Sequence, residues 1–262
     1  MLNKTVGSFD EAVADIPDGA IIGIDSWGIS ATPQNLVAAL KRKGVKNLTV
    51  VTHCFIPMIF PEEQAIMPSI LLPQMKKLIT AVVGIQYLGA GDFVKEYVEK
   101  GLEVELNTMG TLSSRLYAGA ARLGGFYNPV GIGTIIEKGK EKRIIDGREY
   151  IFEKPINPDY AFVLAHKADK LGNLVYRGIH RGDHPIMAMA AKLTIAEVSE
   201  LVEVGDIDAE QVVTPGIFVD RIVQMPEDGF GTLKKQRELI RTLGQIEASR
   251  KMMFKEAPLN TQ

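Results

Sequence analysis

A short apolar run, a small-residue loop and a helix start, in that order, constrain the fold of this chain more than any other stretch. Residues 18–33 read DGAIIGIDSWGISATP. Residues 20–24 have the length and composition of a buried strand, and Thr32-Pro33 predicts a helix N-cap followed by proline at the first helical position. A loop between a parallel strand and a helix N-terminus is where α/β proteins bind polar or anionic ligands. A plain connection without a ligand is an equally good interpretation of this stretch alone.

Apolar runs rich in β-branched residues recur along the chain and alternate with helical segments. Besides the first, the predicted strands are residues 48–52, 76–83, 102–106, 160–166, 193–198 and 218–223. This alternation is typical of a mostly parallel sheet with crossover helices on its faces. Residues 110–122 predict one of these helices, with Thr111 as its candidate cap. Residues 135–136 and 144–145 flank a charged run, which we interpret as a hairpin with a solvated tip.

Composition excludes several classes of protein. Lys plus Arg count 30 and Asp plus Glu count 32, so the chain has no basic footprint for nucleic acid. Cys54 is the only cysteine, so no internal disulfide is possible and a cytoplasmic location is expected. No stretch approaches the roughly 18 apolar residues of a membrane helix, and residues 1–13 show no signal peptide. His166, His180 and His184 lack the spacing of metal ligands, so no metal site is predicted.

Length and helical periodicity divide the chain into two predicted parts. The 262 residues suit one large α/β domain, which we assign to residues 1–228. Beyond it, apolar residues at helical spacing among charged ones predict an amphipathic helix in a C-terminal extension, residues 229–262.

Eight segments, taken in order, resemble the A (alpha) subunit of family I CoA-transferases. They are residues 18–33, 48–52, 105–106 with 110–112, 126–134, 146–150, 168–176, 187–192 and 214–219. The resemblance runs from residue 9 to residue 223. It implies the fold of that family, an open, mostly parallel α/β sheet with flanking helices (CoA-transferase, NagB/RpiA-like). The C-terminal helix extends beyond the usual end of such a chain, and we expect it to pack on a neighbouring subunit.

The resemblance implies an enzyme that works only with a second chain. In this family the A subunit pairs with a B subunit that carries the catalytic glutamate, and we expect a heterotetramer of two A and two B subunits. The enzyme moves coenzyme A between an acyl-CoA and a small carboxylic acid through covalent intermediates on that glutamate. Coenzyme A is therefore a substrate, and no permanently bound cofactor is expected.

The loop after the first strand departs from the family pattern. By resemblance, this loop is the wall that closes over the glutamate and holds the incoming acid. Where the family has two glycines and a phenylalanine, this chain has Asp25, Ser26 and Trp27, whereas Gly28 is kept. A carboxylate at Asp25 would repel an anionic acid unless it is paired or protonated.

Other departures fall on the same predicted wall. An amide side chain after the second strand becomes His53, and a pocket glutamine becomes Met109. An Asn-Phe-Asn-Pro segment becomes Gly-Asp-His-Pro at residues 182–185. By resemblance, the candidate substrate-binding residues are Ser26, Trp27, Gly28, Ser30 and Met109.

Asp25 and His53 are the candidate catalytic residues of this chain, since they lie at the ends of predicted neighbouring strands. A carboxylate paired with an imidazole can activate water. Such a pair would make the complex a hydrolase of CoA esters, cleaving a thioester or a C–C bond, instead of a transferase. An imidazole that bonds a backbone carbonyl is an equally good interpretation of His53. A non-catalytic binding module is the remaining alternative, although residues 1–17 are too short for the helix-turn-helix of repressors on related folds.

Overall fold

The computed structural model describes residues 2–25, 31–56, 67–84, 93–227 and 241–242. The loop candidates Ser26, Trp27, Gly28 and Ser30 lie outside these residues, as does nearly all of the predicted C-terminal extension. Within them, the α-helices are α1 (Phe9–Ala12), α2 (Gln34–Lys43), α3 (Lys95–Glu99), α4 (Met109–Ala120) and α5 (His184–Ala190). None of the helices in the described part of the chain is long and apolar enough to span a bilayer.

The described strands form two sheets. They are β1 (Ile21–Ile24), β2 (Leu48–Phe55), β3 (Met75–Val83), β4 (Glu103–Leu106), β5 (Phe126–Asn128), β6 (Lys142–Ile145), β7 (Arg148–Glu153), β8 (Tyr160–Asp169), β9 (Leu174–Val175), β10 (Leu193–Val202) and β11 (Arg221–Gln224). The large sheet has the parallel order β11-β10-β8-β1-β2-β3-β4, and β9 pairs antiparallel with β8. The small sheet, β5-β7-β6, is antiparallel. The predicted open, mostly parallel α/β sheet is confirmed.

The order of the strands reverses direction at β1, and this reversal fixes where a ligand can bind. From β1 the chain adds β2, β3 and β4 on one side, and it later adds β8, β10 and β11 on the other. Open parallel sheets bind ligands in the crevice outside the carboxyl ends of the strands, at the point of reversal. The crevice at the carboxyl ends of β1 and β8 is therefore the expected ligand site of this fold.

Apolar layers cover both faces of the large sheet and set the position of α5. On one face, Leu36 and Leu40 of α2 belong to the same buried cluster as Ile22 of β1. On the other face, a Cβ at Gly23 would lie 2.3 Å from the Sδ atom of Met187 in α5. The missing side chain at Gly23 therefore lets α5 lie directly against β1, which brings the start of α5 to the end of that strand.

Helix α2 is capped from the sheet and not by the residue that the sequence predicts. Its N-cap position is Pro33 and not Thr32, and no side-chain cap bond forms there. Instead, the buried carboxylate of Glu197 in β10 accepts hydrogen bonds from the backbone N–H groups of Asn35 and Leu36, each at 3.0 Å. A carboxylate at this position satisfies the exposed donors of the first turn and interacts favourably with the helix dipole.

Helix α4 begins one residue earlier than predicted, at Met109, and its cap is Thr108 and not Thr111. The Oγ1 atom of Thr108 accepts a hydrogen bond from the backbone N–H of Thr111 at 3.3 Å. Both threonines are good capping residues, and the extended backbone of Thr108 (φ −81°, ψ 154°) decides between them. This start places Ser113 in the second turn of α4.

The predicted hairpin between residues 135–136 and 144–145 is wrong. Ile135–Glu137 forms a 3-10 turn, in which the Thr134 side chain accepts a hydrogen bond from a backbone N–H. The hairpin lies further along the chain, between β6 and β7, around Asp146-Gly147. Both turn residues have positive φ, 48° and 76°, and an Asp-Gly pair favours such a turn.

Gly119 and Gly110 lie in the same helix and give a matched test of how α4 packs. A Cβ at Gly119 would lie 2.1 Å from the carbonyl oxygen of Ile156, whereas nothing lies within 4 Å of a Cβ at Gly110. We expect Gly119→Ala to lower the free energy of unfolding by about 1–3 kcal/mol, because the backbone must shift. Gly110→Ala should raise it by no more than about 1 kcal/mol. Urea unfolding followed by circular dichroism measures both, and equal effects would contradict this packing of α4.

Candidate active site

Asp25 and His53 lie side by side at the carboxyl ends of β1 and β2. Asp25 directly follows β1, whereas His53 belongs to β2, which continues to Phe55. Both side chains are fully buried. The Nδ1 atom of His53 lies 3.3 Å from Oδ1 of Asp25, so the two form an ion pair when the imidazole is protonated.

The other side of the His53 ring contacts two residues from distant parts of the chain. Its Nε2 atom lies 3.0 Å from Oδ2 of Asp183 and 3.1 Å from Oγ of Ser113. The Ser113 hydroxyl also donates a hydrogen bond to Oδ2 of Asp183. Asp183 immediately precedes α5, and Ser113 belongs to α4. One imidazole therefore joins β1, β2, α4 and α5.

The second oxygen of Asp25 fixes the start of α5. The backbone N–H of Asp183 donates a hydrogen bond to Oδ2 of Asp25 at 2.6 Å, across 158 positions of the chain. A hydrogen bond to an ionised carboxylate is stronger than one between neutral groups. The two carboxylates are thus linked through the backbone as well as through His53.

His184, the next residue, is a second buried imidazole with a different task. Its Nδ1 atom accepts a hydrogen bond from the backbone N–H of Leu164 at 3.3 Å, and its Nε2 atom lies 2.9 Å from the carbonyl oxygen of Ala31. These partners assign the neutral tautomer with the proton on Nε2, and burial lowers the pKa of His184 in agreement. The ring stacks on Tyr176, with 6.0 Å between centroids. His184 therefore holds the chain at Ala31, where α2 approaches.

Burial and hydrogen bonding act in opposite directions on His53, and the hydrogen bonds prevail. Burial disfavours the imidazolium, but the hydrogen bonds to Asp183 and Asp25 and their charges raise the pKa of His53 to about 9. Burial likewise opposes ionisation of Asp25, yet the neighbouring His184 and His53 rings and the Asp183 N–H lower its pKa below the usual range. At neutral pH the cluster of Asp25, His53 and Asp183 is therefore two carboxylates around one imidazolium, with one net negative charge.

Exposure separates the side chains of this cluster from one another. The side chains of His53 and Asp25 are 1% and 0% exposed, whereas that of Asp183 is 19% exposed. Ser113 is half-buried. A substrate in the crevice therefore reaches Asp183 and Ser113, and the two buried residues act on it only through them.

Met109, the remaining described candidate, borders the same cluster. It is the first residue of α4 and is half-buried, and its carbonyl oxygen accepts a hydrogen bond from Oγ of Ser113 at 3.4 Å. Among the described residues, no group of three or more His, Cys, Asp or Glu side chains is arranged to hold a metal ion.

Sequence reasoning placed only part of this site. The departure at residues 182–185 singled out Asp183 and His184, but nothing in the local pattern indicated that they reach Asp25. Ser113 carried no signal of its own. Its spacing from the cap of α4 would have placed it on the face toward the crevice only if the helix start had been known.

Comparisons with known proteins cover nearly the whole chain. The profile described as coenzyme A transferase matches residues 6–225. The chain is 36% identical over 235 residues to the A subunit of the 3-oxoadipate CoA-transferase of Pseudomonas putida, and the match covers 90% of this chain and 99% of the relative. It is also similar in fold, with a TM-score of 0.73 and 21% identity, to the acyl-CoA transferase of Escherichia coli solved as a thioester complex with CoA. That match covers 86% of this chain and 48% of the other, so this chain spans about half the length of the Escherichia coli protein.

A decarboxylase shares the fold over its full length. The crystal structure of a cysteine variant of the decarboxylase AibA/AibB aligns with 99% of this chain and 100% of its own, with a TM-score of 0.71 and 25% identity. The fold therefore occurs with more than one reaction, and the chemistry of the site has to be argued from its residues.

The raised pKa of His53 makes the stability of the chain depend on pH. The folded state binds this proton more tightly than a histidine with the ordinary pKa of 6.5, with a pKa of about 9. The resulting stabilisation is fully present below about pH 6.5 and is lost as the pH rises through about 9. Between about pH 6 and about pH 9.5 we expect the wild type to lose roughly 3 kcal/mol more than His53→Gln, which cannot ionise.

Urea unfolding of the two proteins across this pH range measures the difference. Asp10→Asn, which changes an exposed partner of Arg42, is the control and should follow the wild type. Parallel pH profiles for the wild type and His53→Gln would show that His53 is not held as an imidazolium.

Proposed function

The chain belongs to the coenzyme A transferase family, and from this premise we propose that it forms one wall of an active site completed by a second subunit. It is the A subunit of a two-subunit CoA-transferase. The B subunit carries the glutamate on which the covalent intermediates form. The similarity over 99% of the Pseudomonas putida relative is the observation that carries this proposal.

In the proposed reaction, the glutamate carboxylate attacks the thioester carbonyl of an acyl-CoA, and CoA leaves as a thiolate. A mixed anhydride forms. The thiolate then attacks the glutamyl carbonyl, which releases the first acid and leaves a glutamyl-CoA thioester. The second acid attacks this thioester, and the same two steps run in reverse. Water would hydrolyse the anhydride, so the site must exclude it.

This chain contributes the crevice at the carboxyl ends of β1 and β8 to that site. The packed side chains of Asp25, His53 and His184 leave no exposed surface at its floor, which keeps water from reaching the intermediates from below. The net negative charge of the cluster repels a carboxylate placed beside Asp183. The reacting carboxylate of the acid therefore points away from Asp183, toward the B subunit, while the uncharged chain of the acid faces this wall.

The proposed acid is a 3-oxo acid, because the Pseudomonas putida relative is named for 3-oxoadipate. We further propose a heterotetramer of two A and two B subunits, in keeping with the subunit naming of that relative. A cytoplasmic location is proposed because Cys54 is the only cysteine of the chain. Ser26, Trp27, Gly28, Ser30 and Met109 are the proposed contacts to the acid.

A decarboxylase acting on a CoA ester is the second candidate function. The full-length similarity to AibA/AibB favours it, and so does the buried Asp25–His53–Asp183 cluster, because an acid–base group has no part in the transfer steps. The hydrolase alternative has less support than the transferase, since the curated relative is named as part of a CoA-transferase.

Trapping the intermediate on the B subunit tests the transferase. The chain is co-expressed with the B subunit encoded beside it, and the complex is incubated with a panel of acyl-CoA esters and then with borohydride or hydroxylamine. We expect mass spectrometry to find a modified glutamate on the B subunit, because the glutamyl thioester accumulates when no second acid is present. Adding 3-oxoadipate should move CoA to that acid.

The present chain alone is the control for this experiment and should transfer no CoA. Release of free CoA or of carbon dioxide without any glutamyl adduct would contradict the transferase and favour the second candidate.

A further inference from the structure

Asp183 is the point at which a buried proton meets the crevice. Its side chain is 19% exposed, and its Oδ2 atom lies 3.0 Å from the protonated ring of His53. The same oxygen accepts a hydrogen bond from Ser113, so the remaining oxygen, Oδ1, is left to meet a substrate. Asp25 and the backbone of α5 hold the whole group in place through the 2.6 Å hydrogen bond to Asp25.

The order Ser113, His53, Asp25 also has the connectivity of a nucleophilic triad, but the proton positions exclude that role at neutral pH. A triad histidine must be neutral to take the proton of the serine. His53 is protonated here, because its pKa is raised to about 9. The Ser113 hydroxyl donates its proton to Asp183, so Ser113 orients the carboxylate and does not act as a nucleophile.

We propose that Asp183 is a catalytic proton-transfer residue, which exchanges a proton with the carbon next to the thioester carbonyl of a bound acyl-CoA, and that His53 and Asp25 are its positioning residues. This inference rests on the proposed function only for the identity of the ligand, an acyl-CoA. It goes beyond the transfer reaction, in which no C–H bond breaks.

The proposed step moves one proton and one electron pair. The C–H bond beside the thioester breaks, its proton forms an O–H bond on Asp183, and its electron pair moves into the thioester as an enolate. In the reverse step Asp183 returns the proton to the carbon. Asp183 loses its negative charge as the enolate gains one, so the charge near His53 is conserved. The imidazolium at 3.0 Å favours negative charge at this position in both states.

Deuterium exchange tests the proposal on the complex of both subunits. The complex is incubated in D2O with butyryl-CoA and without any acid acceptor, and the mass of the butyryl group is followed over time. We expect incorporation well above the rate without enzyme. Asp183→Asn should reduce the exchange rate by about 100-fold or more, the range of a lost acid–base group, while it keeps a similar shape and can still bond Ser113.

Three further variants separate a chemical role from a structural one. His53→Gln should slow the exchange and remove a limb of its pH profile, because Asp183 loses its charged neighbour. Ser113→Ala should slow it less, since the carboxylate and imidazolium remain. Asp10→Asn, an exposed carboxylate paired with Arg42, is the matched control and should leave the rate unchanged. Thermal melting of each complex checks that the variants assemble.

Transfer of CoA to 3-oxoadipate is measured on the same preparations. A wild-type complex that transfers CoA but incorporates no deuterium would overturn the inference and leave the proposed function standing. Exchange that survives in a folded Asp183→Asn complex would overturn it as well. Exchange that requires Asp183 in a complex that transfers no CoA would support the inference and overturn the proposed function.

Discussion

The His53 imidazolium, held between the carboxylates of Asp25 and Asp183, is the interaction on which the candidate site depends. A buried ring that bonds two carboxylates, at 3.3 Å and 3.0 Å, ties the ends of two strands to the start of a helix. Removing one partner would leave an uncompensated buried charge, which costs far more than the pair contributes. The cluster can form only because Gly23 lets Met187 lie against β1. Backbone packing therefore comes first, and the electrostatic cluster follows from it.

Two further buried polar groups position the elements around the crevice. His184 accepts a backbone hydrogen bond from β8 and holds the carbonyl oxygen of Ala31. Glu197 caps the first turn of α2 from β10. Burial raises the pKa of Glu197 to about 8, although its hydrogen bonds to Asn35 and Leu36 act in the opposite direction. Each of these groups spends its hydrogen-bonding capacity on the backbone, which distinguishes it from Asp183, whose carboxylate is partly open to the crevice.

The transfer reaction and the proton-transfer role place different demands on the same surface. Transfer needs a dry wall without groups that compete with the glutamate of the B subunit. A buried, fully paired ion cluster meets that demand, because its groups are not free to react. Proton transfer needs one member of the cluster to reach the substrate, and Asp183 is the member that does. A net negative charge at this wall is compatible with both, provided that the carboxylate of the acid is directed elsewhere.

The sequence by itself determined the class of fold, the family and the adjacency of Asp25 and His53. It could do so because strand periodicity and the order of βα units are local properties, and because residues at the ends of consecutive parallel strands meet at one edge of the sheet. The caps of α2 and α4 were predicted wrongly, since Thr32 and Thr111 satisfy the same local rule as the residues that the fold uses. Only the tertiary structure decided that Asp183 completes the cluster. That contact spans 158 positions and depends on how closely α5 packs on β1, a property of packing that no local pattern encodes.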